Sequence, residues 1–422
     1  MRRALIFSLA TLWVVQPSPG WADEAPALTL GRAYALALKR SEEIAIHQEL
    51  IKETEGRFLQ ALSGALPRAS FQWNERRQDG SGGSAFTLKE IPERKFVFTQ
   101  PLFSGFKEFA AIAGSRAERR QRLAERSRAE QLLLVDVSDA FYLLREQRED
   151  LNALETTRAA LLERIDELNE REQLGRSRRS EVASAEAQLR SVEADLELVR
   201  SQETTSRQLL EFLTGRSPIG SIIDPDSSLP SLESEETYVV KAKTRPDVRA
   251  AEEAWRVAEK ELTIAQAKFW PTVSLESNYY TKRVGSSSGV DWDVLLKTDV
   301  PLFQGGQAVG TAKESASRAR QAKLRFEETQ RRAELETRDA YVDLQGALAR
   351  TAALAKAYDA TDESYRLQVE DYRLSLVNNL DVLQALQLLQ DARRNFIHSQ
   401  HDTKRLYWRL KASVGETLET SK

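Results

Sequence analysis

Thr99-Gln100-Pro101-Leu102-Phe103-Ser104-Gly105 returns, 200 positions later, as Asp299-Val300-Pro301-Leu302-Phe303-Gln304-Gly305. The same offset aligns Leu174-Gly175 with Leu374-Ser375, and Ser180-Glu181-Val182 with Leu380-Asp381-Val382. Upstream, Leu66-Pro67-Arg68-Ala69-Ser70-Phe71 matches Trp270-Pro271-Thr272-Val273-Ser274-Leu275, and Glu43-Ile44 matches Asp247-Val248, both at 204. The offset changes only between the two proline markers, so the first half carries four extra residues in one loop. A unit of about 200 residues is too long for a solenoid repeat and reads as an internal duplication.

Each half has one order of elements. Helical spacing runs from Ala33 to Leu66 and again from Asp247 to Trp270, and a proline closes each run. Period-two segments follow. Ala69, Phe71 and Trp73 alternate with polar neighbours, as do Phe96 and Phe98 beyond the loop Asp79-Gly80-Ser81-Gly82-Gly83-Ser84. Val273, Leu275 and Tyr279 repeat the pattern, and Val290, Trp292, Val294 and Leu296 follow the loop at 284–289. This spacing predicts two hairpins, 68–100 and 272–300. Asp291, Asp293 and Lys297 suit a water-filled lumen, with Phe71 and Trp292 toward lipid. By pattern alone a soluble sheet with one solvated face is the simpler account. Export and the lack of other strands shift the balance to a barrel, and four strands enclose no pore, so several chains are needed.

After each Pro-Leu-Phe the pattern turns helical without proline, over Ser104 to Leu174 and Gln304 to Leu374. Each is a rod of roughly 100 Å at 1.5 Å per residue. The return helices are Glu181 to Leu213 and Asp381 to Val414. Val182, Ala185, Leu189, Val192, Leu196 and Val199 form a heptad seam, with Leu154, Leu161, Ile165 and Leu168 as its partner. The Arg/Glu run at 115–130 reads as a solvated, self-paired helix face rather than a nucleic-acid patch. The fold class is mainly α with a small β part. It comprises a signal peptide (1–22), a first repeat (23–215), a Pro-rich linker (216–244), a second repeat (245–414) and a tail (415–422). The linker is expected to pack outside the rod, with the tail.

Composition narrows the function. The 422 residues include no Cys, one Met and three His, with 41% hydrophobic and 30% charged residues and a net charge of −3. A disulfide scaffold, a thiolate site and a lipidated Cys are excluded, and so is a strongly electrostatic nucleic-acid binder. Met1-Arg2-Arg3, the apolar run Ala4 to Val15 and Gly20-Trp21-Ala22 make a secretory signal, cleaved before Asp23. The run is too short to span a bilayer, so membrane insertion requires a closed β-barrel. His398 and His401 lie three apart on the last helix and could in principle share a metal, but a lone pair without a carboxylate or third ligand nearby is a weak signal. No nucleophile triad, HExxH or phosphate loop is present, so no enzyme chemistry is expected.

These residues resemble the TolC family of bacterial outer-membrane efflux and secretion channels, from about Leu28 to Val414. The motifs that carry the resemblance are the joints Pro101 to Gly105 and Pro301 to Gly305, the opening Arg245-Pro246-Asp247-Val248, and the Leu-Gly/Ser turn with an acidic-Val pair at each helix tip. Ser41-Glu42 departs from the family's Asn-Pro, so the first helix is expected to begin differently. The resemblance implies a homotrimer whose strands close one twelve-stranded barrel in outer-membrane lipid, with a helical tunnel through the periplasm. It implies a passive exit duct for tripartite efflux or type I secretion, without cofactor. Its partners would be a periplasmic adaptor (membrane fusion) protein and an inner-membrane transporter of the RND, ABC or MFS class.

In the family a tyrosine, an arginine and two aspartates constrict the periplasmic entrance. By position these are Tyr372, Val377, Asp381 and Gln384, so the arginine and second aspartate are missing here. Glu181 is the partner position on the first tip. The resemblance implies a Tyr372–Glu181 hydrogen bond holding a closed state, weaker than usual for want of the arginine, and a cation-attracting ring of Asp381 carboxylates. Both carboxylates read equally well as helix caps, and the two roles are compatible. Leu174, Gly175, Leu374, Ser375 and Leu376 are the expected adaptor contacts. The rival reading is a periplasmic coiled-coil adaptor or structural protein of an export complex, which would carry one hairpin and compact β domains. An exported hydrolase is the other, without motifs to support it.

Overall fold

A computed structural model describes residues 27–79, 88–225 and 231–418. The expected signal peptide, most of the Gly/Ser-rich loop after Asp79 and the last residues of the tail lie outside them. Two helices of 67 residues dominate, α3 (Lys107–Gln173) and α7 (Gln307–Arg373), and their first residues stand 200 positions apart. Each is about 100 Å long. The chain returns along α4 (Arg179–Thr214) and α8 (Asn379–Ser413).

The heptad seam of α4 is buried against Leu154, Leu161, Ile165 and Leu168 of α3. Tyr372, Val382, Leu383 and Leu386 join the same cluster, so the second hairpin's tip packs on the first. Each such buried leucine contributes about 1.5–3 kcal/mol. Higher up, Leu134, Val137 and Phe141 of α3 pack with Tyr34, Ala37 and Leu210.

The opening segment is two helices rather than one. α1 (Leu30–Arg40) ends and α2 (Glu42–Ser63) begins at Ser41. The Ser41 N–H donates to Ala37 O at 2.8 Å, while its hydroxyl accepts from Ile44 N–H at 3.4 Å. Glu42 and Glu43 fill the first turn of α2, where carboxylates are favoured. Ser41-Glu42 thus makes a helix junction. In the second half a single helix, α6 (Pro246–Gln266), starts on a proline and ends in a 3-10 turn, Ala267–Phe269. Before it, α5 (Glu235–Ala242) lies against α7, with Tyr238 packed on Leu344, Leu410 and Val414. Glu416 accepts from Lys241 at 2.8 Å and Lys411 at 2.7 Å, bringing linker and tail together.

β1 (Arg68–Arg77), β2 (Glu90–Ser104), β3 (Thr272–Lys282) and β4 (Trp292–Asp299) form one antiparallel sheet in that order. Arg68 pairs with Thr99, and Thr272 with Asp299, so the two hairpins share one register under the two offsets. Phe71, Phe96, Tyr279 and Trp292 line up across the four strands, all exposed. On the other face Asp293 accepts from Asn278 and from the Tyr280 hydroxyl, each at 2.8 Å. The first hairpin spans 68–104 and the second 272–299, so β2 runs on through Pro-Leu-Phe while β4 stops before it. The cause is pairing: β3 offers Val273 and Thr272 to Phe103 and Ser104, and 300–304 has no such neighbour. Among the described residues no helix is long and apolar enough to cross a membrane.

Candidate functional site: the helix tips

Both turns close with the same hydrogen bonds. At the first tip Arg176 N–H donates to Arg171 O and Gly175 N–H to Glu172 O, each at 2.8 Å. At the second, Leu376 N–H donates to Asp371 O at 2.9 Å and Ser375 N–H to Tyr372 O at 3.0 Å. This is a Schellman closure, which places its C′ residue in the left-handed region. Gly175 meets that at φ 69°, and Ser375, a non-glycine, at φ 62°. Leu174, Leu374 and Leu376 are each at least 70% exposed on the rim.

Asp381 caps its own helix. Asn378 Oδ1 accepts from Asp381 N–H at 3.1 Å and Asp381 Oδ2 accepts from Asn378 N–H at 3.0 Å, a reciprocal capping box. Glu181 sits in the first turn of α4, and its carboxylate accepts from the Ser177 hydroxyl at 2.7 Å. Gln384 is exposed, and Val377 packs partly buried on the apolar cluster.

Tyr372 does not make the expected bond to Glu181. Its ring is 6% exposed and lies between two guanidiniums of the first hairpin, Arg164 at 3.6 Å and Arg171 at 4.5 Å from the ring centre. A weakly hydrated guanidinium stacks readily on an aromatic face, and the Glu181 carboxylate is held within its own turn. Arg164 is itself buried, at 7%. Its Nε donates to Asn379 Oδ1 at 2.9 Å and an Nη to Glu167 at 2.7 Å. Asn379 in turn donates to the Glu181 carbonyl at 3.4 Å. One arginine of α3 therefore links α7, α8 and, through Asn379, α4. Sequence reading missed Arg164, Arg171 and Asn379. A signal existed for the first: Arg164 follows Leu161 by three and precedes Leu168 by four, a charged residue in the apolar seam.

Farther along the rod, α8 is tied to α3 by an ion pair and two histidine–carboxylate contacts. Arg394 holds Asp150 with two bonds, at 2.8 and 3.0 Å. His398 Nδ1 lies 2.8 Å from Glu146, and His401 Nε2 lies 2.8 Å from Glu149. The histidines thus do have carboxylates nearby, supplied by α3, but each faces its own. Among the described residues no group of three His, Cys, Asp or Glu could hold a metal ion. Burial opposes the charge of Glu149; the bonds from His401 and Arg145 outweigh it and hold the carboxyl below its usual range. The basic run of α3 is also shared more widely than expected. Arg122 pairs locally with Glu125 at 2.8 Å, but Arg120 reaches Glu253 of α6 at 2.8 Å and Glu118 pairs with Arg57 of α2.

The outer membrane efflux protein family model matches residues 240–416. The outer membrane protein TolC of Vibrio cholerae is 21% identical over 334 residues, 76% of this chain and 76% of that protein. The alkaline protease secretion protein AprF of Pseudomonas aeruginosa is 25% identical over 421 residues, 93% of this chain and 85% of that protein. The outer membrane protein VceC of Vibrio cholerae shares the fold at a TM-score of 0.80 and 22% identity, covering 92% of this chain and 96% of that one. With the family match on the second half and relatives and fold aligned along most of the rest, this chain is a bacterial outer-membrane protein, reaching into the periplasm, that is similar to the outer membrane efflux proteins.

Proposed function

We propose that the chain is one third of a homotrimeric exit duct for tripartite efflux or type I secretion, passive in itself and gated at the periplasmic helix tips. The observation that carries this is the sheet. It has an exposed apolar face and two unpaired edges, and its strands feed directly into two 67-residue helices. Lipid tolerates strands only in a closed barrel, and three copies of a four-stranded sheet supply one. The four long helices per copy then continue as a tunnel wall. The names of its relatives, an efflux and secretion set, support the role, with a periplasmic adaptor and an inner-membrane transporter of the RND, ABC or MFS class as partners. The adaptor would engage the exposed rim of Leu174, Gly175, Leu374, Ser375 and Leu376. Asp381 and Glu181, one at each tip, would add negative charge at the entrance while Asp381 caps α8, and the exposed Gln384 would line it. Paired long hairpins and an open sheet speak against the single-hairpin adaptor reading.

The test is fractionation followed by unheated gel electrophoresis and planar-bilayer recording. A detergent-extracted trimer from the outer membrane that conducts ions is the expected result. A monomer in the soluble or inner-membrane fraction overturns the reading.

A further inference from the structure

Among the described residues the most exposed large apolar side chains are Leu302 at 93% and Phe303 at 90%, inside the second Pro-Leu-Phe motif. The first copy of that motif is not exposed in this way. Phe103 pairs with Val273, and its ring lies edge-on to Trp270 at 6.4 Å. Gly105 is pressed so closely on Ala267 O and Trp270 Cβ that an added Cβ would lie 2.9 Å from each. Around Gly305 an added Cβ would meet nothing within 4 Å, although its φ of 58° nearly matches the 64° of Gly105. The second motif thus repeats the left-handed glycine of the first without its socket. That socket is the end of α6 and the start of β3, and under the 204 offset Ala267 and Trp270 correspond to Ser63 and Leu66 at the end of α2. Leu66 is itself 49% exposed.

We propose that Val300–Gln304 is an unfinished strand extension that pairs with β1 of the next copy in the ring, seating Phe303 against Leu66 of the partner subunit. This rests on the trimeric-duct reading. The register follows from the β2–β3 pairing. Phe98 faces Ser277 and Thr99 faces Glu276 there, and beyond Pro101 the register shifts by one, so that Phe103 faces Val273. Carried through the two offsets, Thr298 faces Trp73 of the partner subunit and Asp299 faces Gln72 of the partner subunit. After the same bulge, Phe303 faces Ala69 of the partner subunit and Gln304 faces Arg68 of the partner subunit. The chemistry agrees. Thr298 and Val300 fall beside Trp73 and Phe71 on the apolar face, and Lys297 and Asp299 beside Asn74 and Gln72 on the polar one. A one-residue slip would turn Phe71 and Trp73 inward. A two-residue slip keeps the faces but withdraws the motif from its socket.

The absence of cysteine makes the test direct, since any disulfide must join introduced thiols. Two matched double variants of the full chain are made, T298C/W73C and D299C/Q72C. Facing residues of an antiparallel pair lie about 4.5 or 5.5 Å apart, and both distances suit a disulfide. A two-residue slip adds about 7 Å along the strand, so T298C/F71C and T298C/E75C are the mismatched controls. After mild oxidation in outer membranes, matched variants are expected to run as a covalent trimer on heated, non-reducing gels, and mismatched variants as monomer. Linkage through a mismatched pair, or a trimer on unheated gels with neither matched pair linked, overturns the register and leaves the duct standing. A chain that is monomeric on unheated gels and links through no pair overturns both.

Discussion

Arg245 is the largest of the fully buried side chains, at 2% exposure, and it opens the second half of the chain. Its Nε and one Nη both donate to Asp247 at 2.7 Å, and the other Nη reaches Glu336 of α7 at 2.8 Å. Burial opposes the ionisation of Asp247, and the Arg245 guanidinium outweighs it, so the carboxyl sits below its usual range. An unfolded aspartate titrates near 4. The stabilisation from Asp247 is therefore complete above about pH 4 and is lost as pH falls through the lower folded value. Asp247→Asn leaves Arg245 buried with Glu336 alone and is expected to cost about 3 kcal/mol, since breaking a buried ion pair is far dearer than never forming one. Denaturant midpoints of the detergent-solubilised protein check this, and the variant should also lose less stability than the parent between pH 5 and pH 3. Equal midpoints, or parallel acid profiles, would show that the anchor carries no such weight. The motif Arg245-Pro246-Asp247-Val248 was visible in sequence as a marker. Its physical role was not, because Glu336 and the Ser413 carbonyl, 3.4 Å from Arg245, lie far along the chain.

At the scale of elements, period alone located the long helices, whose seam is buried between neighbouring helices, and the strands, whose apolar residues share one exposed face. The break at Ser41 was less legible, since helical spacing continues across it while one hydroxyl and one N–H change partners. The end of β4 was not legible at all, because strand ends depend on what lies alongside. The tips show a local conflict of the same kind. Two turns with identical hydrogen bonds carry Gly175 in one and Ser375 in the other, and a left-handed non-glycine residue costs about 1–2 kcal/mol. Ser375→Gly removes that strain, offset in part by the greater freedom of glycine in the unfolded chain. A net gain of about 1 kcal/mol at the second tip is expected, corresponding to roughly fivefold slower amide exchange at Ser375 and Leu376. Unchanged or faster exchange there would mean that the turn is relaxed as it stands.

For the whole molecule, if the proposed duct is gated at its helix tips, the question is what must part for it to open. The second hairpin leans on the first at two levels. Midway, Arg394 and the two histidines of α8 meet Asp150, Glu146 and Glu149 of α3 in a ladder of polar pairs. At the tip, Tyr372 is held between Arg164 and Arg171, and Arg164 also holds Asn379. A duct that dilates at its mouth has to break the second set and can keep the first. On the proposed reading the two sets would therefore separate gating from stability. Arg164→Leu keeps most of the side-chain volume and removes both the stacking and the charged hydrogen bond, together worth at least about 2 kcal/mol. Closed-to-open ratios in planar bilayers should then fall by about thirtyfold. Arg394→Leu should lower thermal stability and leave the ratio near that of the parent. The tyrosine distinguishes stacking from a hydroxyl bond. Tyr372→Phe retains an aromatic face for both guanidiniums and should gate as the parent does, whereas Tyr372→Leu should behave like Arg164→Leu. If Tyr372→Phe opens the channel as fully as Tyr372→Leu, the hydroxyl is the holding group and the arginine clasp is not.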